Sequence, residues 1–424
     1  MTTVIRGGRI IDATGERSGD VVIGDDGRVA AVGRDLSGDT VLDAGGCVVA
    51  PGLVDLHTHL REPGHEESET VETGSRAAAL GGFTAVVAMP NTEPAIDDAS
   101  MVRDVLELGK SALCDVHVAG AITVDRKGER LAPMAEMAAL GVRLFTDDGN
   151  GVQNNRLMRR ALEYASGLDV TLAQHCEEES LSLGGHMHEG EWSSRLGVPG
   201  IPGEAEELMV MRDIALVRLT GGRVHFQHLS TGGAIAMVRA AKAGGLSVTA
   251  EATPHHFTLT DACCRGYDPV FKVNPPLRPQ PDVDAVKDGL ADGTIDAVAT
   301  DHAPHAQELK EQAFDQAPPG MLGLETALAL AVGELGLDLR DVLALLSWRP
   351  AAIAGLGAAH GGPVEAGRPA NLCVVDLAAT WTVDPAALAS RSRNTPYAGR
   401  TLSGRVRHTL LGGEPVVIDG EPQR

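Results

Sequence analysis

Aromatic residues are scarce. Three Trp, three Tyr and six Phe make up 3% of the 424 residues. A surface that stacks bases needs such rings, so nucleic acid is not an expected partner. Positive charge is also in short supply: 36 Lys and Arg against 58 Asp and Glu leave a formal charge of −22, which repels phosphate backbones and anionic lipid. No run of about 18 apolar residues occurs, so no membrane span is expected. The opening MTTVIRGGRIIDATGERSGD lacks the apolar stretch of a signal peptide. The six cysteines (47, 114, 176, 263, 264 and 373) form no CxxC pair, and a reduced, cytoplasmic chain follows as the expectation. No G-x-G-x-x-G follows the first strand of the central region, which removes the main support for an open dinucleotide-binding sheet.

What is present is ample material for a core: 43% hydrophobic residues beside 22% charged ones. The first 50 residues read as short strands separated by glycine turns (Gly7-Gly8, Asp26-Gly27, Gly45-Gly46), a hairpin pattern. The tail has the same style in GGPVEAGRPANLCVVD and GRTLSGRVRHTLLGGEPVV. Residues 1–50 and 358–424 are therefore expected to join in one small β-sandwich. Residues 51–357 alternate short apolar runs with helical patterns. The runs fall at 53–59, 83–89, 114–121, 142–147, 169–175, 223–229, 247–253 and 295–301, and the helices include Glu67–Leu80, Ala99–Lys110, Asn155–Ser166, Glu204–Leu219 and Ala234–Ala243. Eight strands alternating with helices predict an α/β fold, a (β/α)8 barrel.

In such a barrel, chemistry sits at the C-terminal ends of the strands. Those ends carry His57 and His59, Asp147-Asp148, His175, His228 and Asp301. Imidazole and carboxylate are ligands of zinc-like divalent ions. The His-x-His spacing sends both rings to one face of a strand. Four histidines and two carboxylates exceed one tetrahedral site and favour two ions sharing a bridge. A second His-x-His, His186-Met187-His188, lies in a glycine-rich loop and is read as a decoy. Cys176 is superfluous beside four histidines, His255 and His256 are expected to pack, and Lys310 is expected to be a solvated charge.

Eight segments resemble one family in order along the chain: DLHTHLREPG (55–64), AMPNTEP (88–94), LFTDDGNGVQ (144–153), AQHCE (173–177), FQHLST (226–231), EATPHHFTL (251–259), KVNPPLR (272–278) and ATDHAPHAQELK (299–310). The chain resembles the longer, first-class bacterial dihydroorotases of the amidohydrolase superfamily. The resemblance implies a zinc-dependent cyclic amide hydrolase. Its reaction is the reversible closure of N-carbamoyl-L-aspartate to L-dihydroorotate in pyrimidine biosynthesis, by a hydroxide held between two zinc ions. It further implies His57, His59 and Asp301 on one ion, His175 and His228 on the other, Asp148 as the bridge and Asp301 as general acid/base. Arg61, Asn91, Asn274, His305, Pro319 and Gly320 are implied to hold the substrate.

Many relatives in the wider superfamily bridge their ions with a carboxylated lysine on the fourth strand. This chain has no lysine between Lys127 and Lys242, so a carboxylate must serve. The rivals are the sibling cyclic amidohydrolases (dihydropyrimidinase or hydantoinase, and allantoinase) and a non-catalytic partner of aspartate transcarbamoylase. A homodimer is expected. Docking of an active enzyme on the transcarbamoylase is left open. The polar segment from Ala303 to Pro319, after the eighth strand, is expected to act as a lid.

Overall fold

The computed structural model describes residues Met1 to Arg424. Its centre is a ring of eight parallel strands: β1 (Leu53–Thr58), β2 (Phe83–Ala88), β3 (Asp115–Val118), β4 (Leu144–Phe145), β5 (Thr171–Gln174), β6 (Val224–Phe226), β7 (Val248–Ala252) and β8 (Ala297–Val298). Two continuous arcs, β1-β2-β3 and β4-β5-β6-β7-β8, make up this ring. Single bridges join the arcs, Gly120 to Phe145 between β3 and β4 and Thr58 to His302 between β8 and β1. The His59 amide donates to the His302 carbonyl at 2.9 Å across the second seam. The ring is thereby closed, as the alternation of apolar runs and helices predicts.

The strands are apolar runs because both their faces are covered. Leu56, Val87, Ala119, Leu144, Ala297 and Ala299 fill part of the lumen. A larger cluster of 67 buried residues packs between strands and helices. Side-chain caps fix the helix starts. Asn154 accepts from the amides of Arg156 and Leu157 and opens the helix Asn155–Ser166. The helix expected from Glu67 begins only at Val71, because Thr70 caps it by accepting from the Thr73 amide. The helix expected from Ala234 begins earlier, at Gly232, where Thr231 is the cap.

The chain ends do meet. They form one hydrogen-bonded nine-stranded sheet. The strand Val48–Pro51 runs antiparallel to Leu372–Thr382, with Val49 opposite Val374. Fourteen buried residues from both ends, among them Ile10, Val21, Val49 and Val374, form the core of this unit. No helix is long and apolar enough to cross a membrane.

Candidate metal centre and active site

The C-terminal ends of the barrel strands bring all six expected donors together. His57 Nε2 lies 3.2 Å from Asp148 Oδ1 and 3.5 Å from Asp301 Oδ1. His59 Nε2 lies 3.1 Å from Asp301 Oδ1 and 3.6 Å from Asp148 Oδ2. His175 Nδ1 and His228 Nε2 are each 3.7 Å from Asp148 Oδ1 and 2.9 Å from one another. Two overlapping groups of metal-ligand geometry result, His57-His59-Asp301 and His57-Asp148-His228. Asp148 thus sits between the two halves, one oxygen toward His59 and the other toward His175 and His228. His228 and Asp301 reach this point with left-handed backbones, φ 31° and 44°. Such strain in non-glycine residues gathers at functional sites and is held there by the surrounding structure.

Alternation along the chain separates the adjacent aspartates. Asp147 turns away and accepts from the amides of Ile122 (2.9 Å) and Thr123 (3.0 Å) and from the Thr123 hydroxyl. It anchors the loop after β3.

The residues fit divalent cations. Glu251 Oε1 lies 2.9 Å from His57 Nδ1, so Nδ1 carries the proton and Nε2 presents a lone pair toward two carboxylates. That Nε2 is buried and has no hydrogen-bond partner. Acceptors facing acceptors in a buried pocket call for a cation between them. Burial opposes a positive charge on His57, yet Asp148 and Asp301 outweigh it and raise the ring's pKa well above its ordinary value. The pocket therefore favours positive charge at Nε2, which a metal cation would supply in place of a second proton. Burial would likewise raise the Asp301 carboxyl, but His57 and His59 hold it below the usual carboxylate range.

Around this centre stand the residues expected to meet substrate. Arg61, with φ 62°, donates from Nε to the Pro304 carbonyl at 3.0 Å and places Nη2 3.3 Å from His305 Nε2. His305 Nε2 lies 2.8 Å from the Pro319 carbonyl. Gly320 leaves room for this contact: at its φ of 143°, a Cβ would come within 2.8 Å of His305 Nε2. Asn91 Oδ1 lies 2.9 Å from His59 Nδ1. Asn274 Nδ2 lies 3.4 Å from His175 Nε2, and Asn274 Oδ1 is buried without a partner.

Lys310 departs from expectation. Its side chain is half-buried, and its ammonium donates to the carbonyls of Pro318 (3.0 Å) and Gly320 (3.1 Å). Burial, and then Lys272, lower its pKa to about 7. It ties the segment Ala303–Pro319 back on itself, and that segment includes a helical turn, Gln307–Lys310.

The decoy pair and His256 take structural contacts, whereas His255 Nε2 is buried without a hydrogen-bond partner. His188 Nδ1 lies 3.0 Å from Arg278 Nη1, and His186 Nδ1 lies 3.3 Å from Lys272 Nζ. His256 bridges Thr253 (2.8 Å) and the Pro275 carbonyl (3.0 Å). The Cys176 thiol turns to the Gln174 carbonyl.

Sequence reasoning passed over the residues behind the donors. Glu251 joins His57 to His225 through its second oxygen at 2.9 Å, and His225 continues to Thr249 at 2.8 Å. Burial works against a charged Glu251, but hydrogen bonds from His225 and His57 lower its pKa to about 2. Glu177 Oε2 stands 3.6 Å from His175 Nε2. The available signal was a charged residue inside an otherwise apolar strand, as in SVTAEAT.

The whole fold superposes on L-hydantoinase from Arthrobacter aurescens, with a TM-score of 0.89 at 23% identity, covering 100% of this chain and 97% of that one. D-hydantoinase from Thermus sp. gives 0.85 at 26% identity, covering 99% and 96%. Fold and rim together define an amidohydrolase barrel. Residues 46–233 match the family described as Dihydro-orotase-like. The Streptomyces coelicolor dihydroorotase is 51% identical over 429 residues, and the Mycobacterium tuberculosis dihydroorotase is 50% identical over 431, each covering 99% of both chains. The chain belongs to the dihydroorotase family.

Proposed function

We propose that this protein is a dihydroorotase that interconverts N-carbamoyl-L-aspartate and L-dihydroorotate in pyrimidine biosynthesis. The observation that carries the reading is the convergence of four imidazoles and two carboxylates on one buried point, with Asp148 between them. His57, His59 and Asp301 would hold one zinc ion, His175 and His228 a second, and Asp148 would bridge. Such ions, when bound, polarise an amide carbonyl and lower the pKa of water.

In the hydrolytic direction, the Asp301 carboxylate takes a proton from the attacking water. An O–C bond forms at the ring carbonyl, the C–N bond breaks, and Asp301 returns the proton to the leaving nitrogen. The anionic Asp301 favoured by His57 and His59 is the form this direction needs. Ring closure runs the same steps backwards from a protonated Asp301. Arg61 offers a planar fork matched to the substrate carboxylate. Asn91, Asn274, His305 and the backbone at Pro319 and Gly320 complete the clamp.

The reading divides the chain into a catalytic barrel, 51–357, and a unit made of 1–50 and 358–424. It includes a cytoplasmic homodimer, with docking on aspartate transcarbamoylase as a further partner to test by co-sedimentation. Turnover of L-dihydroorotate, hydantoin and allantoin after zinc removal and restoration tests the function. Restored turnover that strongly prefers L-dihydroorotate is expected. A preference for hydantoin or allantoin would assign the site to a sibling activity.

A further inference from the structure

The opposite mouth of the barrel holds a second group of donors. β3 and β4 share only the bridge from Gly120 to Phe145, so their N-terminal ends splay apart. A cavity of about 550 Å³ fills the wedge, walled by Asp115–Val118 on one side and Leu140–Leu144 on the other. Asp115 and His117 line this cavity, His360 stands behind them, and one donor atom from each of the three lies within 4.8 Å of the others. His117 Nε2 is buried and has no hydrogen-bond partner. His360 is 1% exposed. Its Nδ1 is 3.1 Å from the Thr84 hydroxyl and its Nε2 is 2.8 Å from Asp115 Oδ2. The His360 Nε2–H donates to the Asp115 carboxylate while the Thr84 hydroxyl donates to Nδ1, so loss of the Nε2 proton would leave a lone pair aimed at the same point as Asp115. Asp115 is half exposed and gives an ion a route in from solvent.

We propose that Asp115, His117 and His360 bind a divalent transition cation such as Zn²⁺ at the N-terminal mouth of the barrel, separate from the catalytic centre. Two imidazoles and one carboxylate are a zinc ligand set, and the adjoining cavity leaves the fourth position open to solvent. One cation would satisfy the unpartnered nitrogen of His117 and take the place of the proton shared by His360 and Asp115. Asp115 and His117 lie at the start of β3, while His360 lies on the segment leading into the strand Leu372–Thr382. The ion therefore clamps the barrel floor to the sheet built from the chain ends.

The test is equilibrium dialysis of the full-length protein over a series of free Zn²⁺ concentrations, with elemental analysis. The wild type is compared with His117→Asn and Asp115→Asn, neither of which empties a fully buried position. Each variant is expected to bind one ion fewer per chain than the wild type, to keep wild-type amidohydrolase turnover, and to lose part of the Zn²⁺-dependent rise in Tm. Equal stoichiometry in all three proteins would overturn the proposal and leave an ordinary His360–Asp115 pair. Loss of turnover in step with the missing ion would also overturn it, because that ion would then belong to the catalytic centre.

Discussion

The two mouths of the barrel use the same side-chain types to different depths. At the C-terminal mouth six donors converge, all of them at most 5% exposed, and partners such as the buried Glu251 and the half-buried Asn91 aim the rings. At the N-terminal mouth three donors meet, one of them half exposed, and a single hydroxyl, Thr84, steadies one ring. The difference lies in the supporting layer more than in the ligands. Strands of a parallel barrel deliver loops of free length at their C-terminal ends, so donors from β1, β4, β5, β6 and β8 can be gathered there. The opposite rim offers only what a strand and a neighbouring segment happen to bring together.

The largest effect should come from breaking the upper mouth at its centre. Asp148→Ala is expected to lower metal content and nearly abolish turnover, because two cations would face each other without a bridging carboxylate. Asp147→Ala should keep its metal and lose far less activity, since Asp147 holds the loop after β3. Elemental analysis and rate measurement on both variants check this. The reverse ranking would move the bridge to Asp147.

Next in size is Arg61→Met. Removing a buried partner of a charged ligand costs about 3 kcal/mol, on the order of 100-fold in kcat/KM. Metal content should stay unchanged, and a parallel loss of metal would make Arg61 a support of the centre instead. Glu251→Gln probes the supporting layer that distinguishes the two mouths. Loss of such a partner typically costs ~10–100-fold in metal affinity or activity, and competition with a chelator should read it. An unchanged affinity would show that the Glu251–His225 chain does not aim His57.

The smallest effect concerns a residue further out. Asp213 is fully buried and anchors Gln174, at the end of β5, at 3.1 Å. Burial raises its pKa to about 6 despite Arg212. A carboxyl raised in the folded state adds stability below its unfolded pKa, and that stability is lost as pH rises through the folded pKa. From about pH 4 to pH 6, Asp213→Asn should therefore gain in Tm relative to the wild type, and the gap should stay flat above pH 7. A gap that does not vary over this range would mean that Asp213 remains charged throughout.

Much of this architecture is legible in the sequence because parallel strands buried on both faces must be apolar runs. The runs at 53–59 and 247–253 contain β1 and β7, and the helix Asn155–Ser166 carries its own cap in Asn154. The donors were legible because strand ends are fixed points in a barrel. Helix starts were less so: Thr70 and Thr231 override the apolar periodicity around them. Lys310 was misjudged because its three acceptors are backbone carbonyls, which no residue type announces. The group Asp115-His117-His360 stayed hidden since 243 positions separate His117 from His360 and only closure of the fold joins them.

The central claim is that the upper mouth holds two ions with Asp148 between them. A crystal of the zinc-loaded protein measured at the zinc absorption edge tests it most directly. Two anomalous peaks are expected there, one among His57, His59 and Asp301 and one beside His175 and His228, both touching Asp148. A single peak, or a bridge made by any other residue, would contradict it.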